Sequence, residues 1–328
     1  MVEYTKGLHE VADRVWAWLA PDGGWGWSNA GLVEGQGESF LIDTLFDLRL
    51  THEMLDRMSP VLERSPLTGA LNTHANGDHC YGNELLGPDV TIYATRETGH
   101  EIHDVPPELI AGMLAADFDP PLSEFLHHCF GPFDFSGITV RAPDVEFEEA
   151  TIVDLGGRAV HLVPLGPAHT AGDSVAYLPD SGVVFAGDLL FVNGTPLTWV
   201  GAIDNWVAAC NRLIAWEPKV VVPGHGPVTD AAGIAEMRDY LVHVREQADA
   251  AIAAGQTWYE AADRIDLGRF AALPEAERVV VTVYQYYLEQ VPETLKATPK
   301  ELFERMATWR LVRGATGSPP QSGSPASA

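Results

Sequence analysis

Apolar and polar positions change their period several times along the chain. From Ala12 to Leu19 they partly alternate, and the short apolar runs Ala30-Gly31-Leu32-Val33-Glu34 and Ser39-Phe40-Leu41-Ile42-Asp43 follow. These predict strands. Between Thr51 and Leu62 the period lengthens, and Met54, Leu55, Met58, Val61 and Leu62 fall on one side of a predicted helix. Thr91 to Ala94 predicts another strand, and Thr151 to Leu165 predicts two around Gly156-Gly157. Ser174 to Leu178 and Gly182 to Ala186 predict a hairpin around Pro179-Asp180-Ser181. Asn205 to Trp216 has helical spacing and precedes the apolar run Val220-Val221-Val222. Antiparallel runs of strands with helices between them predict two sheets packed face to face, with helices outside.

Two regions depart from this rhythm. Within residues 100–150, Pro106-Pro107 opens a predicted helix reaching Leu114, and a second runs from Leu122 to Phe130 before Gly131-Pro132-Phe133. From Asp230 to Arg310 the pattern is mostly helical. Met237, Tyr240, Leu241, Val244 and Ala248 share one face of a helix over Ile234 to Ala254, and two more helices are expected over Glu275 to Glu289 and Pro299 to Trp309. The β-branched run Val279 to Val283 lowers the helix propensity of the Glu275 to Glu289 stretch. The expected organisation is one large domain over 1–229, a helical extension over 230–312, and a tail over 313–328. The tail's Ser, Pro, Gly and Ala cannot bury apolar area, so disorder is expected there.

Candidate chemistry sits where the apolar runs end. After Ala70-Leu71-Asn72 comes Thr73-His74-Ala75-Asn76-Gly77-Asp78-His79-Cys80, with three metal-competent side chains within six residues. His169 follows the run ending Val163-Pro164-Leu165, Asp188 follows Val183-Val184-Phe185-Ala186-Gly187, and His225 lies between Gly224 and Gly226 after Val220-Val221-Val222. Any one of these residues reads most simply as a polar loop residue. Four strand-end loops, each offering a ligand and several containing glycine that allows close backbone approach, point instead to one shared centre. Imidazole and carboxylate together suit zinc, and also iron or manganese.

The order of these motifs resembles that of the metallo-β-lactamase-fold superfamily, in which a His-x-His-x-Asp-His motif is followed by a lone His, a bridging Asp and a His between glycines. The match spans roughly the first 230 residues. The resemblance implies an α/β (α+β) fold: a four-layer αββα sandwich of two mixed β-sheets flanked by helices, here with a C-terminal helical extension. It implies one metal site from His74, residue 76 and His169, a second from Asp78, His79 and His225, and Asp188 shared between them. Residue 76 is Asn, not His. An amide oxygen is a weaker and harder ligand than imidazole nitrogen. Either Asn76 ligates through its oxygen and favours iron or manganese over zinc, or the first site is partly empty and one metal does the work. The second site is expected to dominate.

The activity implied is that of a metal-dependent hydrolase, using a metal-bound hydroxide on a small ester, amide, lactone or thioester. One or two zinc ions are expected. With one metal absent, Asp78 or Asp188 becomes a candidate general base. Asn76 keeps open a non-hydrolytic reading, an iron-dependent oxidoreductase or lyase, and a non-catalytic binding protein is the third. Position between metal motifs makes residues 106–135 a candidate lid, with Phe130 and Phe133 facing substrate. The resemblance also places the loop carrying Trp25 and Trp27 over the metals, although core packing explains either tryptophan equally well. His103 is also a candidate pocket residue. For His127 and His128 a polar helix face is the simpler reading, and for Cys80 a small buried residue behind the site.

Composition narrows the partners. The chain has 328 residues, 46% of them hydrophobic, and a formal net charge of −26. That charge disfavours nucleic acid and anionic membrane, leaving a small-molecule substrate. Three cysteines form no disulfide framework, and no apolar run reaches membrane-spanning length. A cytoplasmic location is expected, with a homodimer through the C-terminal helices as a candidate assembly.

Overall fold

The first seven strands form one sheet and the last five another in the computed structural model, which describes residues 2–21, 23–291 and 293–314. The first sheet contains β1 (Gly7–Ala12), β2 (Val15–Leu19), β3 (Ala30–Glu34), β4 (Ser39–Ile42), β5 (Leu67–Leu71), β6 (Thr91–Thr95) and β7 (Val145–Phe147), side by side in that order. Pairing is antiparallel from β1 to β4 and parallel from β4 to β7. The second contains β8 (Thr151–Asp154), β9 (Ala159–Pro164), β10 (Ser174–Leu178), β11 (Val183–Phe185) and β12 (Val220–Val222), in the spatial order β12-β11-β10-β9-β8. Only β11 and β12 pair in parallel there. Both sheets are therefore mixed, as expected.

The period-two pattern divides each strand between two cores. Val15, Ala17, Leu19, Phe40 and Ile42 of the first sheet meet Leu162, Ala176, Leu178, Phe185 and Val222 of the second in the sandwich interior. The residues between them, such as Trp18, Leu32, Leu41, Val184 and Val221, face the helical layers. Gly31 sits where the sheets approach most closely: a Cβ there would lie 2.2 Å from the Phe185 ring.

Among the described residues, ten helices complete the fold. They are α1 (Leu48–Leu62), α2 (Gly77–Cys80), α3 (Arg96–Glu101), α4 (Pro107–Ala115), α5 (Leu122–Phe130), α6 (Ile203–Ala215), α7 (Ala231–Ala253), α8 (Trp258–Arg264), α9 (Val279–Gln290) and α10 (Pro299–Gly314). Asp47 caps α1 by accepting from the Leu50 N–H at 2.7 Å, and fully buried Met54 and Met58 carry its inner face. The run Val279 to Val283 is helical after all. Its residues are fully buried in α9 between α7, α8 and α10, so packing overrides β-propensity.

Several elements escaped the sequence pattern, among them the short helices α2 and α3. Strand β1 is an edge strand with no buried residue, so it carries no alternation to read. Strand β7 has three residues and lies inside the stretch expected to be an insertion, yet it pairs with β6. Helix α8 is one short turn-rich piece. The C-terminal helices do not form a separate core: Met237, Leu241, Tyr284 and Met306 belong to the same buried cluster as Trp206 and Leu41. Helix α10 packs on α5, joining the extension to the 106–135 segment. The tail expected to be disordered lies outside the described residues beyond Gly314.

Candidate metal centre

Strand direction brings the four loops together. Strands β11 and β12 are parallel, so the segments after them emerge at the same end, and a further bridge joins Phe191 to His225. The Ser174 N–H and hydroxyl both donate to the Thr73 carbonyl, tying the start of β10 to the loop after β5. Gly224 is required by closeness, since a Cβ there would meet Asp188 Oδ1 at 1.9 Å.

Two triads result, His74 with His169 and Asp188, and Asp78 with His79 and His225; within each, the ligand atoms lie within 4.8 Å of one another. Asp188 stands between the triads. Its Oδ2 is 3.3 Å from His169 Nε2 and 3.4 Å from His225 Nε2, and its Oδ1 is 3.1 Å from His79 Nε2. Asp78 Oδ2 lies 3.3 Å from His225 Nε2. Asn76 Oδ1 is 3.0 Å from His169 Nε2, so the amide oxygen faces the first triad. Ligands sharing a zinc ion at bonds of ~2.0–2.1 Å sit roughly 3.3 Å apart, which these separations match.

Each imidazole is held from behind. Nδ1 of His79 bonds Asp43 Oδ2 at 2.9 Å, that of His169 the Leu197 carbonyl at 2.5 Å, that of His225 the Trp27 carbonyl at 3.1 Å, and that of His74 the Thr73 hydroxyl at 3.0 Å. Thr73 in turn donates its N–H and hydroxyl to Asp43. Such partners leave Nε2 free to ligate. His74 Nε2, His79 Nε2 and Asp188 Oδ1 are buried without any hydrogen-bond partner among the described residues. Unpaired buried polar atoms converging on one point fit a divalent cation.

The electrostatics agree. Burial pushes His74 well below the ordinary imidazole range. Burial works the same way at His79, but Asp188, Asp78 and Asp43 outweigh it and raise that ring well above the range. Burial opposes ionisation of Asp188, yet His225, His79 and His169 hold its carboxyl well below the usual carboxylate range.

All seven expected ligand positions are thus in one place. Sequence reading missed Asp43, which organises both Thr73 and His79. The signal existed: Asp43 is an acid directly after a buried strand, as Asp188 is. Cys80 is buried, with its Sγ 3.5 Å from the Ala75 carbonyl, and burial pushes its thiol well up. His103 is exposed, as are His127, bonded to the Ser123 carbonyl, and His128, paired with Glu275 at 3.1 Å.

An aromatic cluster that belongs to the main buried core borders the centre. Trp25, 7% exposed, packs 6.1 Å from Phe130, 6.0 Å from Phe303 of α10 and 6.4 Å from Trp199, centroid to centroid. Trp27 and Phe46 each lie 4.9 Å from Phe133. The cover borders the ligands through Trp27, whose carbonyl bonds His225, and through Trp199, whose N–H donates to the His169 carbonyl at 2.9 Å. Phe46, Trp199 and Phe303 carried no signal in the sequence.

Known proteins place this architecture. Residues 23–225 match the sequence profile of the metallo-beta-lactamase superfamily. A linear primary-alkylsulfatase from Pseudomonas sp. is 22% identical over 307 residues, which are 85% of this chain and 55% of that protein. The structure of the stereoselective inverting sec-alkylsulfatase from Pseudomonas sp. aligns with a TM-score of 0.67 at 17% identity, over 90% of this chain and 52% of that one. A metallo-beta-lactamase from Pontibacter korlensis aligns with a TM-score of 0.55 at 22% identity, over 73% of this chain and 99% of that one. The chain spans about half the length of the alkylsulfatases it matches.

Proposed function

The chain belongs to the metallo-β-lactamase superfamily, and from that premise we propose that it is a metal-dependent hydrolase acting on small, largely apolar esters. Lactones, thioesters and amides fall within the same chemistry, and the alkylsulfatase relatives bring in sulfate esters. The observation that carries the reading is the convergence of four imidazole Nε2 atoms and two carboxylates, three of whose atoms lack any other partner.

His79, His225 and Asp78 would hold one ion, and His74, His169 and Asn76 the other, with Asp188 between them. A divalent ion at such a site lowers the pKa of a water toward ~7 and polarises an ester oxygen. Asp78 is the most exposed of the acidic ligands, with 13% of its side chain open. With only one ion bound, Asp78 or Asp188 is freed from coordination as the candidate general base. Trp25, Trp27, Phe130 and Phe133 form the apolar wall that excludes water and takes the substrate's hydrocarbon.

The test is metal analysis of protein purified without chelator, alongside turnover of 4-nitrophenyl acetate, a lactone, a thioester and decyl sulfate before and after chelation. Zinc or manganese with chelator-sensitive hydrolysis is the expected result. Iron with oxygen consumption would move the protein to the oxidoreductases, and full metal content with no turnover would sink the hydrolase reading.

A further inference from the structure

Helix α9 is apolar on most sides, but Arg278 at its N-cap, Thr282, Gln285 and Glu289 form one polar stripe. Their spacing of three and four residues keeps them on a single face. Each meets the segment at 195–203, and in the same order along the chain. Arg278 Nη1 donates to the Thr195 carbonyl at 3.1 Å. The Thr282 and Thr198 hydroxyls, both fully buried, bond at 3.1 Å. Gln285 Nε2 donates to the Trp199 carbonyl. The Glu289 carboxyl accepts from the Ile203 N–H and lies against Gly201, where a Cβ would meet its Oε1 at 2.3 Å. Pro274, just before the helix, adds a carbonyl that accepts the Thr195 hydroxyl at 2.8 Å.

The same segment holds His169. Its Leu197 carbonyl accepts from His169 Nδ1 at 2.5 Å, which leaves Nε2 for an ion. Its Trp199 and Val200 N–H groups donate to the His169 carbonyl at 2.9 and 3.2 Å, and the Gly201 N–H donates to the Ala168 carbonyl at 3.1 Å. Trp199 is the link, since its N–H reaches His169 and its carbonyl reaches Gln285. The other three imidazoles take their Nδ1 partners, Thr73, Asp43 and Trp27, from loops of the first sheet. His169 is thus the ligand oriented through the C-terminal helices.

We infer that Thr282 and Gln285 are positioning residues of the metal centre: by fixing the segment at 195–203 they set the tautomer and direction of His169, and with them the affinity of the first metal site. That site already has an amide oxygen at Asn76 in place of an imidazole, so it tolerates least any loosening of His169. The alternative is a purely structural role, in which the stripe satisfies buried polar groups and both metal sites are indifferent to it. The inference rests on the reading of the two triads as metal sites, not on hydrolysis. One of its two readouts needs no metal, so the inference and that reading fail separately.

The full chain is titrated with zinc against a competing chelator, as wild type, Gln285→Leu, Thr282→Val and Thr282→Ser. The Val variant keeps the side chain's shape and loses the hydroxyl, whereas the Ser variant keeps the hydroxyl. Losing a bond that orients a ligand should weaken the weaker zinc-binding step by about 10- to 100-fold in Gln285→Leu and Thr282→Val. The tighter step should be unchanged, and Thr282→Ser should bind like wild type. In metal-free protein carrying isotope-labelled histidine, NMR should show His169 as the Nδ1–H tautomer in wild type and as a mixture of tautomers in Gln285→Leu and Thr282→Val. If Gln285→Leu does not fold, the two Thr282 variants decide. If wild type takes up fewer than two zinc ions, the tautomer comparison decides. Both zinc steps weakened alike, neither step moved, or the same His169 tautomer in wild type and variants would overturn the assignment.

Discussion

Around the metal centre each of the four candidate ligand imidazoles has an Nδ1 partner within 3.1 Å, whereas in the aromatic cluster the Trp25 indole N–H has no partner among the described residues. The centre is held by short loops at strand ends and by buried partners such as Asp43, and little in it has to move for an ion to enter. The cover is assembled from the loop at residues 25–27, helix α5, the segment at 130–135 and helix α10, which meet only in the folded chain. Polar preorganisation belongs to the centre, and apolar area belongs to the cover. This division suits an enzyme whose chemistry is fixed and whose specificity is set by the surrounding wall.

The sharpest way to break the comparison is at the shared ligand. Asp188→Ala touches both triads and should leave less than one ion per chain by elemental analysis, with hydrolysis reduced to the chelated background. Asp78→Ala and His225→Ala should remove most metal and His74→Ala less; equal losses in all three would contradict the asymmetry between the sites. On the cover side, Phe130→Ala empties a packed position and should cost about 3–5 kcal/mol in a thermal or denaturant melt. Metal content should stay intact, and selectivity among ester chain lengths should change in the folded fraction. A large melting shift with unaltered kinetics would reduce Phe130 to core packing and sink the lid role of residues 106–135.

Smaller effects sharpen the boundary between the two regions. Asp43→Asn keeps the shape but not the charge behind His79, and metal affinity measured by chelator competition should fall about 10- to 100-fold. Asn76→His should raise metal content toward two ions per chain; if the amide is tuned to a harder ion, the same change binds zinc better and lowers activity. The smallest effect belongs where α5 meets α10. Burial raises the pKa of Glu277, and the neighbouring Glu275 raises it further. The folded state therefore holds a proton that the unfolded chain releases in the ordinary carboxylate range. The stability linked to it is full below that range and is lost as pH rises toward neutrality. Glu277→Gln should flatten this decline by on the order of 1 kcal/mol in melts taken across pH 4.5 to 8; an unchanged slope would assign the decline to another group.

The metal ligands could be read from the chain because each ends a run of buried strand residues, and a polar side chain at such a point announces itself locally. The strands of the sandwich and the long helices were legible for the same reason, since a period of two or of 3.6 is a property of neighbouring residues. Asp43 gave the same signal as Asp188 but fell outside the motif that drew attention. What tertiary structure alone decided depends on pairs far apart in sequence. Edge strand β1 buries nothing and shows no alternation, and the Val279 to Val283 run is helical only because α7, α8 and α10 enclose it. Phe303 joins Trp25 and Phe130 across most of the chain's length. Local periodicity and loop chemistry are written residue by residue; which distant side chains pack together is settled by the tertiary fold.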